Sequence, residues 1–551
     1  MRMTVAEDAH NIRSCCKHWR FSPIKGLTVW SIRHILPTGQ FATTNVAAAR
    51  RGGRMTSVAI IGAGFSGLAT AIGLIAAGHD VTVYERAEDV GGVWRENTYP
   101  GAACDVPSAY YCFSFDPNPR WSRRYAPQPE ILTYLRAAAD KHHVRERIRF
   151  GTAIVSASFS SATNRWCLET SHGDQFWADV LVPAVGQLSR PSFPAIQGRE
   201  SFTGPSFHSA QWDASVSLAG KRVAVIGTGA SSIQLIPEIA PIVESLAVFQ
   251  RSAPHIVPRP DSRLTRLHHA LASRIPATLR AQRLTWLALT EGFTGVLHYS
   301  PLLSRAMAGL ARAFMRYQTR GDAALFGKVW PNYPLGCKRV LFSNTYLPAL
   351  RRDNTTLVTD SIAQITPDGV LSMTGEHYRA DVIIYGTGFA AGGFLDHVSI
   401  TGRAGAELGE RWSQGARAYL GMTVPDFPNM FLMYGPNTNL GSGSIVAMLE
   451  CQAAYIRQAV GALGAGVAID VDAAAEEGYD GALQARLGSG VWSRCDSWYV
   501  GPHGRITTNW PGLVREYRRR TGEFAISDYR VLLPEPDRPT RHAATVNGGN
   551  R

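Results

Sequence analysis

The sequence of 551 residues lacks features that define several other protein classes. Its eight Cys are scattered and contain no C-x-x-C motif, which excludes a disulfide framework and a dithiol enzyme of the thioredoxin-reductase kind. No apolar run reaches the roughly 18–20 residues that cross a bilayer. The chain is therefore predicted to have no transmembrane helix. Because its cysteines form no disulfide framework, a reducing, cytoplasmic setting is favoured.

Acidic residues are scarce at the start of the chain. Residues 1–54 hold nine Lys and Arg against Glu7 and Asp8, so they carry about half of the formal net charge of +13. This segment is interpreted as a disordered or over-called extension that precedes a true start at Met55, with a targeting peptide as the alternative. The basic residues form no stripe interleaved with aromatics, so no nucleic-acid partner is predicted. No metal site is predicted either.

The first informative pattern is a strand, a glycine turn, a helix and a second strand. It consists of SVAII (57–61), GAGFSG (62–67), a helical segment and DVTVY (80–84). Gly62, Gly64 and Gly67 allow a tight turn, a close approach of a pyrophosphate and close helix packing. Glu85 ends the second strand, where a carboxylate accepts hydrogen bonds from ribose hydroxyls and repels a 2′-phosphate. This site is predicted to bind FAD or NAD.

A second unit of the same kind follows. It consists of RVAVI (222–226), GTGASS (227–232), a helical segment and SLAVF (245–249). Ser232 replaces the third glycine, and Arg251 stands where the first unit has Glu85. A guanidinium there can pair with a 2′-phosphate, so NADPH is predicted at this site; the alternative is that Arg251 is a solvated surface charge. The candidate cofactor-binding residues are Gly227, Thr228, Gly229, Ser231, Arg251 and Ser252.

The two units predict an α/β protein with two Rossmann-like dinucleotide-binding domains. Residues 261–332, which are rich in Leu, Ala and Arg at helical spacing, are interpreted as an inserted helical subdomain. The predicted FAD-binding domain comprises residues 55–190 and 391–536, and the NADPH-binding domain comprises 191–260 and 333–390. Residues 537–551 are predicted to be a disordered tail.

Three further segments resemble one enzyme family. The pattern F-x-G-x-x-x-H-x-x-x-W-[PD] is met by Phe202, Gly204, His208, Trp212 and Asp213. It is similar to the fingerprint of Baeyer–Villiger monooxygenases, the class B flavoprotein monooxygenases, whereas related N- and S-oxidising enzymes usually carry Tyr or Phe at position 212. GGVWRENTYPGAACD (91–105) and GTGF (386–389) look like two more family signatures. YGPNTNLGSGS (434–444) is more like the hydroxyacetophenone-oxidising branch.

The resemblance, which covers about residues 55–530, implies roles for further residues. Gly92, Trp94, Asp105 and Tyr111 would contact the flavin, and Lys338 would support the 2′-phosphate of NADP. Arg339 would be the active-site arginine, held by Asp105. Two alternatives stay open. Asp105 and Arg339 could form a structural pair, and His208 could be a structural histidine that links domains.

The implied reaction is an NADPH-consuming oxidation that depends on FAD. Oxygen would be activated as a C4a-peroxyflavin, and one oxygen atom of O₂ would be inserted next to a ketone carbonyl to give an ester or lactone. The expected partners are a small ketone and O₂, without an obligate protein partner. The first alternative is an N- or S-oxygenating flavin-containing monooxygenase, and the second is a pyridine-nucleotide oxidase that releases only hydrogen peroxide.

Overall fold

The computed structural model describes residues 55–464, 466–501 and 503–534. The N-terminal extension 1–54 and the predicted tail therefore lie outside the described residues. The strands of the described part are β1 (Ser57–Ile61), β2 (Asp80–Tyr84), β3 (Ile148–Arg149), β4 (Ile154–Ser160), β5 (Arg165–Thr170), β6 (Gln175–Ala178), β7 (Val180–Pro183), β8 (Ser206–His208), β9 (Arg222–Ile226), β10 (Ser245–Phe249), β11 (Ile256–Val257), β12 (Leu341–Phe342), β13 (Thr355–Val358), β14 (Ile362–Thr366), β15 (Gly369–Ser372), β16 (His377–Arg379), β17 (Val382–Tyr385), β18 (Ser399–Thr401), β19 (Ala468–Val471) and β20 (Tyr529–Leu532).

The helices complete the inventory of regular structure. They are α1 (Phe65–Ala76), α2 (Val93–Glu96), α3 (Gln128–Lys141), α4 (Ala230–Ile239), α5 (Arg266–Arg274), α6 (Ala277–Tyr299), α7 (Pro301–Gln318), α8 (Ala323–Val329), α9 (Tyr346–Leu350), α10 (Leu408–Arg411), α11 (Ile445–Ala462), α12 (Ala473–Gly488) and α13 (Val514–Arg520). Among the helices of the described residues, none combines the length and the hydropathy needed to span a bilayer.

Two parallel sheets carry the two glycine turns. The first has the order β3-β2-β1-β7 and the second has the order β13-β10-β9-β17-β8. Strands β1 and β9 are buried along almost their whole length, because each lies in the interior of its sheet and is covered on both faces. The predicted fold class, α/β with two Rossmann-like units and a helical insertion, is confirmed.

The two sheets repeat one local arrangement. In each, the strand before the glycine turn lies between its successor and a strand from much later in the chain, which is β7 in the first sheet and β17 in the second. A Cβ on Gly62 would lie 2.8 Å from the carbonyl oxygen of Ala184, and a Cβ on Gly227 would lie 2.4 Å from that of Gly386. The turns after β7 and β17 therefore pack directly on the two glycine turns.

Smaller elements complete the fold around these sheets. Strands β14, β15 and β16 form an antiparallel sheet, and strands β18, β4, β5 and β6 form another. Helix α11 packs against α1 beside the first glycine turn. Helices α5 to α8 occupy the segment interpreted as a helical insertion.

Candidate functional site

The first glycine turn is shaped for a phosphate-bearing ligand. Gly62 has a φ of +104°, which L side chains rarely adopt. A Cβ on Gly67 would lie 1.9 Å from the carbonyl oxygen of Gly62, so only glycine lets helix α1 approach the turn. Helix α1 begins after Gly64 without a side-chain cap, which leaves its first N–H groups available to an anion.

Glu85 lies at the carboxyl end of β2, beside this turn. Its buried carboxylate accepts hydrogen bonds from the backbone N–H of Ala63 at 2.7 Å and of Ala87 at 2.9 Å. These bonds hold an anionic acceptor next to the first glycine turn. The placement matches the acidic residue that binds ribose hydroxyls in dinucleotide sites.

A pair of aromatic side chains stands next to the same turn. Gly92 has a φ of +52°, and a Cβ there would lie 3.3 Å from the Cα of Gly64. Two residues later, the indole Nε1 of Trp94 donates a hydrogen bond to the Tyr111 hydroxyl at 3.2 Å. The Tyr111 ring meets the edge of Phe65, the first residue of α1. The structure thus brings the predicted flavin contacts Gly92, Trp94 and Tyr111 together.

The second glycine turn repeats the geometry of the first. Gly227 has a φ of +107°, and α4 begins after Gly229 without a side-chain cap. The Tyr99 hydroxyl donates to Oε1 of Gln234 on α4 at 2.9 Å. The signature segment 91–105 therefore runs from the first glycine turn to the helix of the second.

Ser232, which replaces the third glycine of the second motif, packs against Gly386 in the turn after β17. A Cβ on Gly386, where the family motif usually has alanine, would lie 2.0 Å from the Ser232 hydroxyl oxygen. Ser232 is fully buried. The extra atoms at position 232 thus occupy the space that is free because position 386 has no side chain.

This pairing predicts a compensating double variant. Gly386→Ala overpacks a buried contact, so it should lower the free energy of unfolding by about 1–3 kcal/mol and weaken NADPH binding. Ser232→Gly in the same chain should restore most of both, because it removes the atoms that the new methyl group meets. Thermal melting and coenzyme KM on the single and double variants provide the measurement. Additive losses in the double variant would contradict the pairing.

Four predicted residues form a cationic pocket beside the second turn. Lys338 Nζ donates to the Ser252 hydroxyl at 3.2 Å, and the Thr228 hydroxyl donates to the Ser252 carbonyl at 3.3 Å. Burial, and after it the nearby charge of Arg251, lower the pKa of Lys338. Arg251 is exposed and has no ion pair within the described residues. Two neighbouring cations, neither of which forms an ion pair within the described residues, suit a 2′-phosphate.

Asp105 and Arg339 come together from positions 234 residues apart. Nη2 and Nε of Arg339 donate to one oxygen, Oδ2, of Asp105 at 2.6 and 3.0 Å. The charge of Asp105 raises the pKa of the guanidinium, which therefore stays protonated. The side chains of Arg339 and Asp105 remain 33% and 27% exposed, so part of the guanidinium faces open space. Burial above all raises the pKa of Tyr111, and the charge of Asp105 adds to this increase.

A hydrogen-bonded cluster of two asparagines and Tyr434, which was not predicted from the sequence, lies near Arg339. Burial raises the pKa of Tyr434 and Tyr499, and the nearby charge of Arg339 opposes this increase. Nδ2 of Asn439 donates to Oδ1 of Asn509, and the Tyr434 hydroxyl donates to Oδ1 of Asn439, both at 2.8 Å. Tyr434 has a φ of +59°, a strained conformation for an aromatic residue.

The signal for this cluster was present in the sequence. Both asparagines and both tyrosines lie in the segments YGPNTNLGSGS (434–444) and SWYVGPHGRITTNWPG (497–512). Backbone hydrogen bonds join the two segments, from Asn439 to Thr508 and from Trp510 to Asn439. In both segments, polar residues beside a glycine-rich turn could have indicated this cluster.

A disulfide that was not predicted from the sequence links the segment of Arg339 to the residues just before Ser497. Cys337, next to Lys338 and Arg339, is bonded to Cys495, with a Cα–Cα distance of 6.2 Å. A separation of 158 residues offers no spacing pattern from which to infer the bond. Because disulfides are rare in reducing compartments, this finding weakens the cysteine argument for a cytoplasmic setting.

The fingerprint segment lies between the two cofactor regions. Phe202 packs on Gly204, where a Cβ would also lie 2.4 Å from the Asp381 carbonyl oxygen. His208 is fully buried on β8, its Nδ1 accepts from the Ala210 N–H at 3.1 Å, and burial lowers its pKa. Its ring packs against Phe389 of the GTGF turn.

The end of the fingerprint is less buried. The Trp212 ring packs on Phe207, whereas Asp213 is exposed and accepts hydrogen bonds from the N–H and hydroxyl of Ser215. Residues 209–211 contact helix α2, which carries Trp94. These placements favour a linking role for His208 over a place among the reacting groups.

The fold and the site together define a flavoprotein with two dinucleotide sites. Two glycine turns stand at the carboxyl ends of parallel strands, and each is followed by an uncapped helix. The carboxylate at the first turn suits FAD, and the cationic pocket at the second suits NADP(H).

Comparisons with known proteins agree with this class. Residues 55–285 match the family described as FMO-like, flavin-binding monooxygenase-like. The chain is 40% identical to a Baeyer–Villiger monooxygenase of Pseudomonas aeruginosa, over 87% of this chain and 92% of that protein. It is 39% identical to a Baeyer–Villiger monooxygenase of Streptomyces coelicolor, over 89% and 96% of the two chains.

Solved structures give the same result. An oxidized steroid monooxygenase bound to NADP superposes with a TM-score of 0.78 at 32% identity, covering 88% of this chain and all of that one. Closed cyclohexanone monooxygenase also has a TM-score of 0.78, at 27% identity, covering 87% of this chain and 99% of that one. The chain belongs to the Baeyer–Villiger monooxygenases within the FMO-like flavin monooxygenases, and its cofactors are FAD and NADPH.

Proposed function

We propose that Arg339, held by Asp105, is the catalytic residue of a Baeyer–Villiger oxidation of ketones to esters or lactones. The observation that carries this proposal is the Arg339 guanidinium, which two hydrogen bonds to Asp105 hold in place while part of it stays exposed. Bound FAD supplies the activation of O₂, and bound NADPH supplies the hydride. The protein's own residues must position the ketone, exclude water and stabilise negative charge on the oxygen to be transferred.

Arg339 meets the electrostatic requirement. An anion in a pocket of low dielectric constant is costly unless a fixed cation faces it. Arginine stays protonated at any working pH, and Asp105 raises the pKa of Arg339 further. Asp105 uses one carboxylate oxygen for two guanidinium nitrogens, which orients the group and leaves Nη1 without a bond to Asp105.

Two tyrosines near Arg339, Tyr434 and Tyr499, leave the guanidinium charge to Asp105. The Tyr434 hydroxyl donates to Asn439, and the amide of Asn439 donates to Asn509. Burial raises the pKa of both tyrosines, so their hydroxyls stay protonated and do not compete with Asp105 for the guanidinium charge.

Coenzyme choice follows from the cationic pocket. Arg251→Ala should raise the KM for NADPH about tenfold or more, because a charge-assisted contact with a phosphate contributes about 1.5–3 kcal/mol. The KM for NADH should change little, since NADH lacks the 2′-phosphate. Steady-state kinetics with both coenzymes provide the measurement, and Arg352→Ala, at another exposed arginine, is the matched control. Equal losses with NADPH and NADH would assign Arg251 to the fold or to the shared pyrophosphate.

The preferred substrates follow from the segment 434–444. Its likeness to the hydroxyacetophenone-oxidising branch supports aryl alkyl ketones as the substrate class. A panel of aryl methyl ketones, cyclic ketones and aryl methyl sulfides, with product identification, tests both the substrate class and the type of reaction. The highest kcat/KM is expected for aryl ketones. Preference for cyclic ketones would contradict the branch assignment, and sulfoxide formation without any ester would contradict the reaction.

We propose a cytoplasmic setting, because the low, scattered cysteine content favours a reducing compartment. The Cys337–Cys495 bond counts against it. Thiol titration of the enzyme released from gently lysed cells decides between the two, because a cytoplasmic enzyme should show more free thiols than one from an oxidising compartment.

A further inference from the structure

The outer surface of helices α5, α6 and α7 is unusually apolar. Within the described residues, twenty large hydrophobic side chains are exposed, and ten of them lie between Leu267 and Tyr317. Such a concentration in one short stretch differs from the single scattered hydrophobics that are normal on protein surfaces. An exposed apolar patch of this kind marks an interaction surface.

The exposed side chains follow the helical repeat. On α6, Ala281, Leu284, Ala288 and Leu289 are exposed at the spacing of one helix face. The charged residue within this stretch, Arg283, is directed inward, where it donates to Glu450 and to the Cys112 carbonyl. On α7, Leu303, Leu310 and Tyr317 recur every seven residues, and the last two are 72% and 77% exposed. The buried residues of α7, Ala311 and Met315, lie off this row. We call these exposed faces, with Leu302 and the α5 residues Leu267 and Leu271, the outer face.

The charges around the outer face have one sign. Residues 262–321 contain nine arginines and a single acidic residue, Glu291. Glu291 is turned away from solvent, with only 14% of its side chain exposed, and it pairs with Arg515. The exposed residues Arg266, Arg274, Arg280 and Arg305 have no ion pair within the described part of the chain.

We propose that the outer face of α5–α7 binds the surface of an anionic phospholipid bilayer. Leucine and tyrosine side chains enter the boundary between headgroups and acyl chains, and the flanking arginines pair with lipid phosphates. Since none of the helices in the described residues is built to span a bilayer, they lie on the membrane. A twofold contact with a second copy fits less well, because it would set arginines against arginines without acidic partners.

Vesicle flotation of the full-length holoenzyme tests the proposal. Binding to vesicles of phosphatidylcholine with phosphatidylglycerol should be at least about tenfold tighter than to phosphatidylcholine alone, because each arginine at an anionic surface contributes about fivefold. Leu302→Gln with Leu310→Gln should weaken binding about tenfold or more. Arg266→Gln with Arg274→Gln, Arg280→Gln and Arg305→Gln should remove the preference for the anionic lipid.

The controls separate the outer face from other causes. Leu302 and Leu310 are 74% and 72% exposed, so their variants should keep the flavin content and melting temperature of the wild type. Met373→Gln with Arg379→Gln, at exposed positions of the β14–β16 sheet, should bind vesicles like the wild type. If the leucine variant also binds like the wild type, the basic residues 1–54 carry the binding and the proposal is wrong. Absent vesicle binding, together with a dimer that the leucine variant disrupts, would assign the face to a second copy.

Discussion

Arg339→Ala should remain yellow and should still oxidise NADPH, yet form hydrogen peroxide in place of ester. Removal of one fixed charge that faces a developing anion typically costs a factor of about 10²–10³ in rate. Ester formation on any accepted ketone should therefore fall about 100-fold or more. FAD content should not change, because Arg339 lies outside the glycine turns. Gas chromatography of the ester and a peroxide assay on the same samples provide the measurement.

Two companion variants separate charge from geometry. Arg339→Lys keeps a cation but cannot reproduce the two bonds from Nε and Nη2 to Asp105, so it should retain intermediate activity. Arg339→Ala with Asp105→Asn removes the carboxylate left without its partner. If this double variant regains ester formation, the loss in the single variant comes from the unpaired Asp105. The role assigned to Arg339 would then be wrong.

Gly67→Ala should produce protein with roughly a tenth or less of the normal FAD content, much of it aggregated. The added Cβ would lie 1.9 Å from the carbonyl oxygen of Gly62. Both clashing atoms belong to the backbone or are fixed to it, so helix α1 must move away from the turn that receives the pyrophosphate. Absorbance at the flavin maximum per mole of protein, before and after addition of free FAD, provides the measurement.

Gly73→Ala in the same helix is the matched control. A Cβ there meets only the side chain of Arg457, at 4.0 Å, and alanine is favoured over glycine in a helix interior by about 1 kcal/mol. This variant should load FAD normally and melt at the same temperature as the wild type or slightly higher. Normal flavin content in Gly67→Ala would show that α1 does not need its close approach to the turn.

The sequence predicted the parts of the site that depend on local geometry. Strands β1, β2, β9 and β10 have the predicted bounds, because a continuous apolar run before a glycine turn has few other solutions. The Asp105–Arg339 pair could not be derived from spacing over 234 residues. It was expected only through family resemblance, and the distance of 2.6 Å now supports the expectation.

The features that were missed all depend on tertiary contact. Ser232 and Gly386 each stand out as a departure from a motif, yet nothing in the sequence says that they face one another. The same holds for Cys337 and Cys495, and for Tyr434 and Tyr499 near Arg339. Such contacts can be found only once the fold has placed the segments side by side.

The central claim is that this enzyme inserts one oxygen atom from O₂ next to a ketone carbonyl. Wild-type holoenzyme, incubated with NADPH, ¹⁸O₂ and an accepted aryl methyl ketone, tests it most directly by mass spectrometry of the product and by NADPH consumption. The predicted result is an ester that carries one ¹⁸O atom, formed in nearly equal amount to the NADPH consumed. Consumption of NADPH that yields only hydrogen peroxide across the whole ketone panel, or an ester without ¹⁸O, would contradict the claim.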